Sequence, residues 1–192
     1  MGLIIKNKIA QLKKGYPTVS DKYNVQGGIY VGDTDALHFG DLVFTSGVTG
    51  HYKKYDTTQG ATNGTLAGIC LATNVKLANR YPGDSNVKVE TLKGEAFNLL
   101  VRGFVAVEIA DATAAYLTAL AMPETTKQEK AAKEAAKKAA IDSAAVEGAP
   151  VYLVNGELAT TGTADQELKD VYFMGVAEIV DGAVVAEINY KM

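Results

Sequence analysis

The sequence predicts a mainly β protein: a single antiparallel β-sandwich or barrel, jelly-roll-like, with an alanine-rich helical insertion and an N-terminal arm. The first observation is composition, because the chain has 19 glycines, ten tyrosines and only four prolines, which favours strands joined by tight turns. The second is a recurring pattern of short apolar or alternating runs bounded by turn residues. The third is size: 192 residues, 47% hydrophobic and 21% charged, suffice for one domain with a buried core.

The first fourteen residues are predicted to form the arm. Their apolar residues stand among lysines, and Pro17 disfavours helix at the residue before it. The pattern fits a short amphipathic helix or an arm that docks on a partner, and an equal alternative is that it caps the barrel. The candidate contact residues are Leu3, Ile4, Ile5, Ile9 and Leu12.

The β-domain is expected to begin at residue 15 and to run to residue 110. Each predicted strand is short and apolar or alternates between apolar and polar residues. In the longest one, Gly103 is expected to mark a bulge or bend. The predicted strands are 24–31, 40–47, 68–72, 87–91 and 97–109.

Residues 111–147 are predicted to be a helical insertion. Residues 112–122 are alanine-rich, Pro123 ends that run, and 126–140 have strong helix propensity. Two i,i+4 pairs, Glu129 with Lys133 and Glu134 with Lys138, are each expected to contribute about 0.2–0.5 kcal/mol. Because 126–140 holds no large apolar residue, this helix is expected on the surface or away from the core.

The β-domain is expected to resume at residue 148 and to continue to residue 192. Two pairs of strand patterns flank Asn155-Gly156 and Asp181-Gly182. Both dipeptides tolerate the positive φ angles that a type I′ turn requires. The sequence therefore predicts two β-hairpins in this part.

The sequence contains no pattern that predicts a catalytic, metal or cofactor site. His38 and His51 have no further histidine or cysteine at ligand spacing. Cys70 lies among aliphatic residues, which predicts a buried, inert thiol. Asp33 and Asp35 begin like a calcium loop, but the required downstream Asp, Gly and Glu do not follow, so a surface turn is expected. No Gly-x-Ser-x-Gly elbow is present. These observations favour a binding or structural protein over an enzyme.

Charge and targeting signals narrow the class of partner. The net charge of -3 argues against general binding to polyanions. The five lysines of the insertion are interleaved with acids, so a solvated helix face is expected rather than direct nucleic-acid contact. The apolar run near the start is too short for a signal peptide, and no stretch could span a membrane, so synthesis in a cytoplasm is expected. The lysines are Lys127, Lys130, Lys133, Lys137 and Lys138.

The order of these motifs resembles the capsid cement, or head decoration, proteins of tailed bacteriophages. The resemblance covers residues 14–110 and 148–190 and is a pattern of strands and turns. The matching motifs are K-G-Y-P at 14–17, G-D-L-V at 40–43, L-A-G-I-C-L-A at 66–72, V-R-G-F-V-A-V at 101–107, and the two closing hairpins. The insertion at 111–147 departs from the compact pattern of that family.

The resemblance implies a virion structural protein without cofactors, made in the host bacterial cytoplasm. It implies a homo-oligomer, dimer or trimer, on the capsid exterior that binds the major capsid protein and stabilises contacts between its subunits. In this view the five apolar residues of the arm contact the capsid. The alternatives are a head-fibre or tail component, or a surface glycan-binding β-module, and an enzyme is the least favoured class.

Overall fold

The structure is a computed structural model that describes residues 12–18, 24–32, 36–56, 64–71 and 90–191. In chain order the elements of these residues are β1 (Asn24–Tyr30), β2 (Leu37–His38), β3 (Leu42–Thr45), β4 (His51–Lys53), β5 (Leu66–Leu71), β6 (Glu90–Thr91), β7 (Ala96–Glu108), α1 (Ala110–Leu120), α2 (Lys127–Ser143), β8 (Pro150–Val154), β9 (Glu157–Ala159), β10 (Glu167–Val180) and β11 (Ala183–Lys191). The protein is therefore mainly β, as predicted. Residues 87–89 of one predicted strand lie outside the described residues.

Five strands close into a barrel in the order β1, β4, β3, β5 and β7, with β7 pairing again with β1. Four of the five pairings are antiparallel, and β1 with β4 is parallel, with Ile29 beside His51. The prediction of a purely antiparallel arrangement is wrong at this pair. The reason is parity: strand directions cannot alternate all the way around a ring of five. A barrel is thus present, whereas a sandwich or jelly-roll is not confirmed.

Strand β7 belongs to both halves of the β-structure. Its first part pairs with β1 and β5 in the barrel, and residues 102–108 pair with β11. The register with β1 shifts beside Arg102, and Gly103 has φ 143, a conformation that favours glycine. A bulge therefore lies beside Gly103, where the sequence predicts one. Beyond it, the sheet continues in the order β7, β11, β10, β8, β9.

The two predicted hairpins are confirmed. Asn155 and Gly156 join β8 to β9 with φ angles of 50 and 83°. Asp181 and Gly182 join β10 to β11 with φ angles of 50 and 85°. All four residues have the positive φ of a type I′ turn, whose twist matches that of the flanking strands.

One apolar core spans the barrel and the extended sheet. It unites Phe44 and Leu66 from the barrel with Val151, Phe173 and Ile188 from the extension. A second cluster inside the barrel contains Tyr30, Val43, Phe97 and Leu99, and also Cys70, which is buried as its neighbours predicted.

Helices α1 and α2 form a hairpin over the extended sheet. The Asp111 carboxylate accepts hydrogen bonds from the backbone N–H and the hydroxyl of Thr160, which fixes the start of α1 to the end of β9. Helix α2 buries Lys133 and Ala140, whereas residues 123–126 between the helices are exposed.

The ion pairs of α2 differ from those that its sequence predicts. Glu129 forms a capping box with Thr126 instead of pairing with Lys133, because the N-terminal N–H groups of a helix compete for its carboxylate. Lys133 pairs with Glu124 at 3.5 Å. Glu134 pairs with Lys137, three residues on, at 2.7 Å. Lys138, the other predicted partner, pairs with Asp142.

Candidate functional site

The chain from residue 12 to residue 18, here called the anchored segment, is bound along the free side of β7. The Gly15 N–H donates to the Ala106 carbonyl at 2.8 Å, and the Thr18 N–H donates to the Phe104 carbonyl at 3.1 Å. Pro17 forms an isolated antiparallel bridge with Val105. The segment thus continues the line of β1 past the bulge and occupies an edge that would otherwise leave backbone groups unpaired.

Leu12 fastens the start of the anchored segment. Its side chain is 3% exposed and packs on Ala106 and Val185, with Val180 against the same cluster. Its backbone N–H donates to the Glu178 carboxylate. Leu12 therefore contacts the body of the protein. The other four candidate contact residues, Leu3, Ile4, Ile5 and Ile9, lie outside the described residues.

A charge network holds the anchored segment to the barrel. The Lys14 ammonium lies 3.4 Å from the Asp41 carboxylate and 3.3 Å from that of Glu108. Lys54 approaches Asp41 to 2.8 Å and also donates to the Ala36 carbonyl at 2.9 Å. Each charge therefore has an opposite charge beside it, and the network joins the segment, the approach to β3 and the end of β7.

Asp41 is the centre of this network. Burial raises the pKa of its carboxyl, but Lys14, Lys54 and the His38 backbone N–H together outweigh burial and lower the pKa below its ordinary value. That N–H donates to the carboxylate at 2.8 Å. Asp41 is thus an ionised acceptor with several donors. This arrangement links the anchored segment to the barrel and suits a structural role.

A cleft of about 280 Å³ opens beside the network, between the barrel and the β8–β9 hairpin. Its charged lining residues are Lys14, Asp41, Lys54, Glu108 and Glu157. Four of these five already neutralise one another. The cleft therefore has little unpaired charge with which to bind an anion or a cation.

The two histidines occupy separate parts of the barrel region. His38 Nε2 lies 3.2 Å from Glu90, and its Nδ1 lies 3.5 Å from Asp41. His51 Nδ1 lies 3.2 Å from the Thr49 carbonyl. Within the part of the chain that the structure describes, no three His, Cys, Asp or Glu side chains are grouped as metal ligands. Asp33 and Asp35 lie outside that part.

Sequence reasoning missed the network because its members are far apart in the chain. Lys14, Asp41, Lys54 and Glu108 come from four separate segments, and only the barrel closure brings them together. A local signal exists for Asp41 alone: its carboxylate accepts from the backbone three residues earlier, a frequent role of Asp in turns.

Strand β10 also carries exposed apolar residues. Val171 and Phe173 are buried in the core, so Tyr172 between them lies on the other side of the strand. Beyond Phe173 the strand is irregular, because its register with β11 shifts and Gly175 has φ 77. Tyr172 is 39% exposed, and Val176, which follows the irregularity, is 40% exposed.

No protein-family model matches the chain, and no curated protein matches it either. Neither helix that the structure describes is long and apolar enough to cross a membrane.

Proposed function

We propose that this protein is a virion structural protein that binds the outer surface of a tailed-phage capsid and stabilises contacts between major capsid protein subunits. The order of strand and turn motifs in the sequence supports the assignment. The structural feature that supports it best is the anchored segment. A cement protein must transmit force between its contact residues and its body, and the anchored segment provides a firm attachment for the chain that precedes it.

The attachment resists pulling in several ways at once. A force applied before Leu12 acts first on its buried side chain and on its bond to Glu178. It then acts on the ion pairs of Lys14 and on the backbone bonds of Gly15 and Thr18 to β7. Because these contacts follow one another along the segment, each must break before the force acts fully on the next. Small contacts of this kind, repeated by the symmetry of a shell, add up through avidity.

The test is co-sedimentation of the purified chain with shells assembled from the major capsid protein, in expanded and unexpanded forms. The expected result is saturable binding to expanded shells at a fixed ratio to capsid subunits. Absence of binding to either form contradicts the proposal and directs the search to the head-fibre, tail or glycan-binding alternatives.

A pair of variants tests the predicted contact residues in the same assay. One replaces Leu3, Ile4, Ile5 and Ile9 by serine and leaves Leu12 in place, because Leu12 is part of the folded body. It is expected to bind expanded shells at least about tenfold more weakly, since four apolar contacts are lost. The matched control replaces the polar neighbours Asn7 and Gln11 by serine and is expected to bind like the unaltered chain. Equal binding by both variants would exclude this role for the four residues.

A further inference from the structure

The ring of His38 lies between two carboxylates. Its Nε2 is 3.2 Å from the Glu90 carboxylate, and its Nδ1 is 3.5 Å from that of Asp41. Glu90 stands directly opposite His38 in the register of β2 and β6. The backbone holds the ring in place, because the His38 N–H donates to the Asp41 carboxylate at 2.8 Å and the His38 carbonyl accepts from the Asp41 N–H at 3.2 Å.

The chemistry of imidazole makes this arrangement depend on a proton. A neutral ring has one N–H donor and one lone pair, so one of its two nitrogens turns a lone pair toward a carboxylate. An imidazolium has an N–H on both nitrogens and can donate to both carboxylates at once. The two contacts together therefore favour the protonated ring, and histidine is the side chain whose charge changes between about pH 5 and 8.

Two lysines in the same site oppose this preference. The Lys54 ammonium lies 2.8 Å from the Asp41 carboxylate, and that of Lys14 lies 3.4 Å from it. Both reach the site through Asp41, whereas Glu90 acts on the ring from its other nitrogen. The His38 side chain is 39% exposed, so water and salt weaken every one of these pairs. The expected effect of the proton is consequently modest in size.

The side of the contact that belongs to β2 is firmly held by the barrel. Leu37, which pairs with Thr91 in β6, is fully buried in the cluster inside the barrel. The turn after β2 is bonded to β5, because the Gly40 N–H donates to the Cys70 carbonyl at 2.7 Å and the Cys70 N–H donates to the Asp41 carbonyl at 2.9 Å. A contact between His38 and Glu90 therefore attaches β6 to a fixed part of the barrel.

We propose that His38 is a pH-sensitive bridge, which tightens the pairing of β2 with β6 when its ring is protonated and loosens it when the ring is neutral. The sign follows from linkage: stability gained by binding a proton is present at acidic pH and is lost as pH rises through the titration of the ring. The bridge needs no partner, so its failure would leave the proposed function unaffected.

The first test follows the ring protons of both histidines by NMR from about pH 5 to about pH 9. In Glu90→Gln, His38 is expected to bind its proton about two- to fivefold more weakly than in the unaltered chain, because one cross-strand charge pair is lost. His51, whose Nδ1 lies 3.2 Å from the Thr49 carbonyl, is the internal control and is expected not to change. The matched variant Glu134→Gln removes the same charge from α2 and is expected to leave both titrations unchanged. A titration of His38 that is the same in Glu90→Gln and in the unaltered chain overturns the bridge.

The second test measures whether the proton stabilises the fold. Urea midpoints of the unaltered chain and of His38→Gln are compared at about pH 5.5 and about pH 8, where ordinary carboxyl groups are ionised. His38→Gln is expected to lower the midpoint more at the acidic pH, since glutamine keeps a polar side chain but never carries a charge. His51→Gln is expected to show no such pH dependence.

The outcomes decide between a switch and a simple contact. If His38→Gln lowers the midpoint equally at the two pH values, His38 only packs and hydrogen-bonds, and the proposal is overturned. If His38→Gln does not fold, the titration of His38 in Glu90→Gln decides alone, because that substitution keeps the shape of a side chain that is 36% exposed.

Discussion

At the scale of single residues, Asp41 shows how opposing effects set a protonation state. Its side chain is 14% exposed, and desolvation by itself favours the neutral acid. Two lysines and a backbone N–H favour the carboxylate more strongly, so the folded protein holds a charge that a lone buried carboxyl would not keep. The ion pair between Lys14 and Asp41, which attaches the anchored segment to the residue before β3, exists only while this charge is present.

The charge of Asp41 makes part of the stability depend on pH. Because the pKa of Asp41 is lower in the folded state than its ordinary value of 3.8, its contribution is fully present above that value and is lost as pH falls through the folded pKa. Asp41→Asn is expected to lower the free energy of unfolding by about 1–3 kcal/mol at pH 7. The difference in the free energy of unfolding between the variant and the unaltered chain is expected to shrink below about pH 4. Urea unfolding at a series of pH values measures this difference.

The control for Asp41→Asn is Asp142→Asn. Asp142 also pairs with a lysine, Lys138, but both side chains are more than half exposed. Surface pairs of this kind are worth little because water and salt screen them. A cost for Asp142→Asn equal to that for Asp41→Asn, or a difference that persists unchanged in acid, would contradict the role assigned to Asp41.

At the scale of elements, the two type I′ turns provide a matched pair of glycines. Gly156 and Gly182 hold the same turn position with φ angles of 83 and 85°. A Cβ on Gly182 would meet nothing within 4 Å, whereas one on Gly156 would lie 2.2 Å from the Tyr55 ring. That ring packs on Phe44, with the ring centroids 5.3 Å apart, so it has little room to move.

Alanine at these two positions separates backbone strain from packing. Gly182→Ala is expected to cost about 1–2 kcal/mol, the penalty of left-handed backbone for a residue with a Cβ. Gly156→Ala is expected to cost about 1–3 kcal/mol more, because the β8–β9 turn must also move away from Tyr55. Thermal unfolding of both variants gives the comparison. Equal costs would show that the turn does not pack on the barrel as described.

Helix α2 depends on the cap at its first turn. The Thr126 hydroxyl accepts from the Glu129 N–H at 3.1 Å, whereas the Thr125 hydroxyl contacts only the Glu129 side chain. Thr126→Ala is expected to destabilise the helix by about 1 kcal/mol. Thr125→Ala is expected to cost less, because no backbone donor loses its partner. Amide hydrogen exchange across α2 reports both effects, and faster exchange in the Thr125 variant than in the Thr126 variant would contradict this assignment.

The elements that the sequence predicts well are those that local contacts decide. Asn155-Gly156 and Asp181-Gly182 specify their turns through φ angles alone, so both hairpins follow from a few residues. The ion pairs of α2 are also local, yet Glu129 had two competing partners, and spacing alone did not reveal that the cap would win. Prediction thus fails even locally when one side chain serves two roles.

At the scale of the whole molecule, the closure of five strands into a barrel cannot be predicted from local sequence patterns. No short motif predicts that β4 pairs with β1 in parallel: the three residues of β4 are not among the predicted strands. In the structure each of these strands also has an antiparallel partner, β3 for β4 and β7 for β1. The ion pair between Lys14 and Asp41 can form only when the barrel is closed, because the two residues come from separate segments. The position of Leu12 is similar: its apolar character is visible in the sequence, but whether it meets the body or a partner depends on where β10 and β11 lie.

The shared core predicts how the molecule unfolds. Because Phe44 from the barrel and Phe173 from the extended sheet belong to one cluster, and because β7 runs through both, neither half keeps its core if the other opens. A single cooperative transition is therefore expected.

The chain has no tryptophan, so Tyr52→Trp in β4 and Tyr172→Trp in β10 provide separate fluorescent reporters. Their urea midpoints are expected to coincide with that of far-UV circular dichroism. If the two reporters unfold at separate midpoints, the barrel and the extended sheet are independent units, and a force on the anchored segment could open one without the other.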